Sequence, residues 1–110
     1  MKYYVGIDLG GTNIVAGVVD EQYNILAKAS TKTNCPRPDR EIARDMAKMA
    51  IQAVENAKLT MDQIEWIGIG TPGIANSRDG IIEYSNNLGF VNTPMVKYIQ
   101  EDIDKPVFVE

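Results

Sequence analysis

Tyr3-Tyr4-Val5-Gly6-Ile7-Asp8-Leu9-Gly10-Gly11-Thr12 opens the chain, and a β-branched run from Ile14 to Val19 follows it. Tyr3, Val5, Ile7 and Leu9 alternate with Tyr4, Gly6 and Asp8, the period-two pattern of a strand with one strongly apolar face. Gly10-Gly11 predicts a two-residue hairpin turn, because both positions tolerate positive φ. Ile14 to Val19 is then the second strand and Asp20 to Asn24 the next turn. Ile25 to Thr33 is a third strand, polar enough for a sheet edge. The first third of the chain therefore reads as a three-stranded antiparallel meander.

Beyond it, Asn34 to Pro38 breaks the pattern, and Asp39 is placed to cap a helix with Glu41 in its first turn. Ile42, Met46, Met49, Ala50, Ala53, Val54 and Ala57 recur at helical spacing, so this helix is expected to reach about Ala57 and cover one face of the sheet. Its methionines read as core filler. Thr60-Met61-Asp62-Gln63 fits a capping box and a single helical turn. Ile64 to Ile69 is a short, buried-type strand ended by Thr71-Pro72-Gly73. Ser77 to Gly80 reads as a turn and Ile81 to Tyr84 as a short strand. Thr93-Pro94 starts a second helix, with threonine as cap and Met95, Val96, Ile99 and Ile103 facing inward. Asp104-Lys105-Pro106 stops it, and Val107-Phe108-Val109 begins a last strand. The order β-β-β-α-β-α-β predicts an α/β fold, a mixed sheet with helices packed on it, in one domain over residues 1–110.

The 110 residues are 45% hydrophobic and 24% charged, an ordinary globular balance that argues against disorder. A net charge of −4 with mixed signs argues against nucleic-acid binding, which needs a concentrated positive face. Lys28 and Lys32 read as a solvated strand face. No run of 18 apolar residues marks a membrane span, and Asp8 interrupts the first apolar stretch too early for a signal peptide, so a cytoplasmic protein is expected. With one cysteine and no histidine, the chain holds no internal disulfide, no Ser-His or Cys-His pair and too few soft ligands for zinc. Cys35, before Pro36, reads as a half-buried loop cysteine.

Asp8-Leu9-Gly10-Gly11-Thr12 is the sharpest chemical signal. A glycine turn exposes backbone N–H groups that bind phosphate oxygens, Thr12 adds a hydroxyl, and Asp8 is suited to hold magnesium through its waters. The glycine pair alone reads better as a plain hairpin; the flanking Asp8 and Thr12 and the buried-type first strand favour phosphate. No Gly-Lys-Ser/Thr follows, so this is not a Walker-A loop, and a strand after the glycines excludes the dinucleotide fingerprint. Gly68-Ile69-Gly70-Thr71-Pro72-Gly73 lets backbone approach a ligand closely, although alone it reads as a strand-end turn. Asn86 and Asn87, within Ser85-Asn86-Asn87-Leu88-Gly89-Phe90, offer amides to sugar hydroxyls, but asparagines are also common turn residues.

Taken together and in this order, the segments resemble the ROK family (repressor, open reading frame, kinase) of bacterial sugar kinases and repressors. Val5 to Thr12 looks like its ATP-phosphate motif and Gly68 to Gly73 like its second glycine-rich segment. Asn87-Leu88-Gly89-Phe90 looks like its Asn-Leu-Gly-Trp run, with phenylalanine in place of tryptophan. The resemblance implies one lobe of the two-lobed actin-like, ribonuclease-H-like ATPase fold. It implies that Asp8 assists magnesium and phosphate, that Gly10, Gly11 and Thr12 cradle ATP, and that Gly73, Asn87 and Asn86 meet the sugar. The general-base aspartate is expected just after Glu110, so no catalytic residue is expected within the chain. Zinc ligands and the adenine site are expected in a C-terminal lobe that these residues lack. An ATP-dependent hexose kinase of glucokinase type, homodimeric at full length, is thereby implied, with the 110 residues alone inactive. The alternatives are a sugar-responsive repressor, disfavoured because Met1 lies two residues before the first strand, and a non-catalytic actin-like module, disfavoured by the sugar-side segments.

Overall fold

In the computed structural model, which describes residues 1–85 and 88–110, β1 (Tyr3–Leu9) buries Val5, Ile7 and Leu9 on one face. β2 (Asn13–Asp20) runs antiparallel to it and buries Ile14, Ala16 and Val18 on the same face. β3 (Ile25–Lys32) pairs antiparallel with β2 and forms the polar edge. Asp20 closes the β2–β3 turn by accepting the backbone N–H groups of Gln22 and Asn24 at 2.8 and 3.0 Å. Those bonds, the one from Asn24 foremost, hold its carboxyl below the ordinary aspartate pKa.

α1 (Asp39–Asn56) lies on the apolar face with Ile42, Ala43, Met46, Ala47, Ala50, Ala53 and Val54 buried. The alanines let the helix backbone sit close to the sheet, and burial of this stripe supplies most of the helix's stability. Asp39 does not cap it. Pro38 occupies the cap position, Asp39 is the first helical residue, and no side-chain cap bond forms. Asp39 Oδ2 instead accepts the hydroxyl of Thr93 at 2.8 Å.

A 3₁₀ turn (Met61–Gln63) leads into β4 (Ile64–Gly70), with the expected capping box between Thr60 and Gln63, whose Oε1 accepts the Thr60 N–H at 2.9 Å. β4 runs parallel to β1, and β8 (Val107–Val109) runs parallel to β4. The main sheet thus has the order β3-β2-β1-β4-β8, a mixed sheet as expected.

Between β4 and β8 the structure adds to the expected order. β5 (Ile74–Asn76), β6 (Ile81–Ser85) and β7 (Phe90–Thr93) form a separate antiparallel sheet, where the sequence had predicted a single short strand. Thr93 ends β7 rather than capping α2 (Met95–Gln100), whose cap position is Pro94. α2 stops at Gln100, so Ile103 is buried beyond the helix and not on it. Arg40 of α1 joins the two helices through a paired contact with Glu101 and lies over the Tyr98 ring at 5.2 Å. Among the described residues, no helix is long and apolar enough to cross a membrane.

Candidate active site

The parallel strands β1, β4 and β8 end at one edge of the main sheet. Asp8, next to last in β1, is in register with Gly70, the last residue of β4. Glu110, just past β8, donates its N–H to the Ile69 carbonyl at 2.9 Å and accepts the Thr71 N–H at 3.1 Å. The carboxyl ends of parallel strands carry their outward-pointing peptide groups into this edge, the usual ligand position in sheets of this kind. The first two glycine-rich segments, 60 residues apart in sequence, are therefore neighbours.

Asp8 is exposed and alternates with the buried Ile7 and Leu9, so its carboxylate lies on the face opposite α1. On that face one lateral row reads Lys28, Gly17, Gly6, Gly68, Phe108 across all five strands. The next row toward the strand ends holds Val15, Asp8 and Gly70. A shallow depression of about 430 Å³ results, floored by Gly6, Gly17, Gly68 and Gly70 with Asp8 and Lys28 as its charged groups. A second hollow of about 360 Å³ adjoins it, bounded by Trp66, Phe108 and Glu110. Trp66 stacks near Tyr4 and meets Phe108 edge-on, which fixes the aromatic wall.

The β1–β2 loop differs from the expected turn by one residue. Gly10 donates its N–H to the Asn13 carbonyl at 3.0 Å, so that pair closes the hairpin and Gly11-Thr12 form its tip. Gly10 lies outside the left-handed region. The tip is held from behind. The Thr33 hydroxyl donates to the Gly10 carbonyl at 2.7 Å, the half-buried Cys35 thiol to the Gly11 carbonyl at 3.0 Å, and the Thr33 N–H to the Thr12 carbonyl at 2.9 Å. Sequence reasoning missed Thr33 and Cys35 because neither belongs to a motif and both contacts are long-range.

Gly73 follows the end of β4 at φ +95, and a Cβ there would lie 2.1 Å from the Tyr84 carbonyl oxygen. The fold itself requires this glycine, whatever it does for a ligand. The expected sugar residues Asn86 and Asn87 lie outside the described residues. Among the described residues no group of three or more His, Cys, Asp or Glu side chains gathers to hold a metal. A single exposed carboxylate at Asp8 still fits magnesium, which keeps most of its waters and takes one or two carboxylates.

A mixed sheet with a glycine hairpin at the carboxyl ends of its parallel strands is the arrangement of the actin-like ATPase fold. The chain belongs to the ROK family, whose sequence model matches residues 4–110. A glucokinase of Streptomyces coelicolor is 33% identical over 110 residues, covering all of this chain and 32% of that protein. The crystal structure of a ROK hexokinase from Thermus thermophilus superposes with a TM-score of 0.86 at 35% identity, over 98% of this chain and 34% of that one. A ROK family glucokinase from Streptomyces griseus, solved in complex with glucose and AMPPNP, gives a TM-score of 0.86 at 28% identity, over 98% of this chain and 32% of that one. The chain spans about a third of the length of the curated relatives it matches.

Proposed function

We propose that these residues form the N-terminal lobe of a two-lobed, ATP-dependent sugar kinase that phosphorylates a hexose, with a glucokinase-type substrate. One observation carries the reading: Asp8, the Gly10–Thr12 hairpin, the Gly70–Gly73 segment and Glu110 meet at one sheet edge. The names of the similar proteins, and the glucose and AMPPNP bound by one of them, support it.

Phosphoryl transfer is mostly positioning and charge neutralisation. The hairpin tip offers N–H donors to phosphate oxygens, and magnesium, when bound near Asp8, neutralises phosphate charge. Gly70 leaves backbone open toward the same edge, with nothing within 4 Å of the position a Cβ would take. Glu110 lies at this edge, bonded to Ile69 and Thr71, and the family resemblance expects the general-base aspartate, which takes a proton from the sugar hydroxyl, just after it. Gly73, Asn86 and Asn87 are the proposed sugar-side residues.

The 110 residues alone lack that base and a second wall to exclude water, so the isolated chain is expected to phosphorylate no sugar. The test is sugar-dependent ADP formation by the full-length protein with common hexoses and amino sugars. Turnover with one of them establishes the reaction; none with any of them sinks it.

A further inference from the structure

We infer that Thr33 is the positioning residue of the phosphate-binding hairpin, an assignment that rests on the kinase reading of Gly10–Thr12. Thr33 is fully buried just past the end of β3. Its hydroxyl and N–H hold the carbonyls of Gly10 and Thr12, and Cys35 holds the carbonyl between them. Three successive carbonyls thus face the same segment.

Among the described residues the only cis peptide is Cys35-Pro36, so the peptides of the tip are trans. A trans peptide points its N–H opposite to its C=O. Turning the Gly10 and Gly11 carbonyls toward Thr33 and Cys35 therefore turns the N–H groups of Gly11 and Thr12 the other way. Neither N–H has a partner among the described residues. Adjacent unpaired N–H groups on one side of a turn make an anion-binding concavity.

Thr33 is itself fixed. Its carbonyl accepts Arg37 Nε at 2.9 Å, and Arg37 Nη2 meets Asp45 Oδ2 of α1 at 2.7 Å. The chain of contacts runs from the rigid helix to the hairpin tip. Valine at 33 keeps the shape of threonine and removes the hydroxyl donor, which frees the Gly10–Gly11 peptide to rotate. Serine keeps the donor.

The test uses the full-length protein with Thr33→Val and Thr33→Ser. Thr33→Val is expected to raise the KM for ATP roughly tenfold, the equivalent of one lost hydrogen bond, while the sugar KM stays within about twofold. Thr33→Ser is expected to restore the wild-type KM. A folded Thr33→Val protein with unchanged ATP KM, or with ATP and sugar KM raised equally, overturns the assignment, as does Thr33→Ser behaving like valine. A second readout needs neither a folded valine variant nor sugar turnover. On titrating wild type with tripolyphosphate, the Gly11 and Thr12 amide resonances should shift in wild type and in Thr33→Ser, with Gly10, already bonded to Asn13, moving least. No shift at Gly11 and Thr12 overturns the assignment even if the kinase reading stands. A shift in a protein that phosphorylates no sugar sinks the kinase reading and keeps the hairpin's role in anion binding.

Discussion

Thr93 donates its hydroxyl to Asp39 Oδ2 at 2.8 Å, tying the last residue of β7 to the first residue of α1 across 54 positions of chain. Thr93 is fully buried, so the bond joins the small sheet to the helix that covers the large one. Thr93→Val keeps the volume and deletes the donor. The expected cost is about 1.5–3 kcal/mol, the range for losing a bond to a charged acceptor. Urea denaturation of the two proteins measures it, and an unchanged midpoint would show that the bond contributes nothing.

Gly73 and Gly70 should respond oppositely to alanine. At Gly73 the new Cβ meets the Tyr84 carbonyl at 2.1 Å and the backbone sits at φ +95, so Gly73→Ala should lose at least about 2 kcal/mol or fail to fold. At Gly70 nothing lies within 4 Å and φ is not positive, so Gly70→Ala should melt at the same temperature or slightly higher. Lost turnover in a fully folded Gly70→Ala protein would then report crowding of a ligand rather than damage to the fold.

Asp8→Ala should leave the fold intact, because the side chain is exposed and no hydrogen bond or ion pair to it is present among the described residues. In the full-length protein it should lower kcat on the order of a hundredfold, as removal of a group that organises developing charge does. Unchanged turnover would take Asp8 out of the site.

Acid should loosen the β2–β3 turn through Asp20. Its folded carboxyl is held below the ordinary value of about 3.9 by the backbone N–H groups it accepts, first that of Asn24. The stabilisation is therefore fully present above about pH 4 and is lost as pH falls through the lower, folded value. Asp20→Asn should melt with a shallower dependence on pH below 4 than wild type. Parallel curves for the two proteins would place the acid sensitivity elsewhere.

Much of this architecture can be read from local pattern. The alternation in Tyr3–Leu9 and the helical spacing from Ile42 to Val54 state which faces are buried, and the structure buries those faces. Of the small second sheet only β6 was legible. β5 has three residues, with Ile74 exposed, and pairing rather than patterning makes it a strand. Both helix starts were misassigned for a related reason. Asp39 and Thr93 each look like caps in isolation, and each spends its side chain on the other. In the candidate site, Asp8 and the glycine segments stood out because chemistry and turn geometry leave marks in short windows. Thr33 left none, since its partner is 23 positions away and its residue type is ordinary at the end of a strand.

The row of Gly17, Gly6 and Gly68 has a consequence for how reproducibly the exposed side of the sheet is shaped. A furrow floored by backbone has no rotamers to reorder, so its depth is set by the sheet's twist and hydrogen bonds alone. Whatever lies along it meets a surface whose contour is as fixed as the ladder beneath it, and whose entropy changes little on contact. Trp66 and Phe108, held against each other at one end, and Lys28 at the other are then the side-chain margins of that channel.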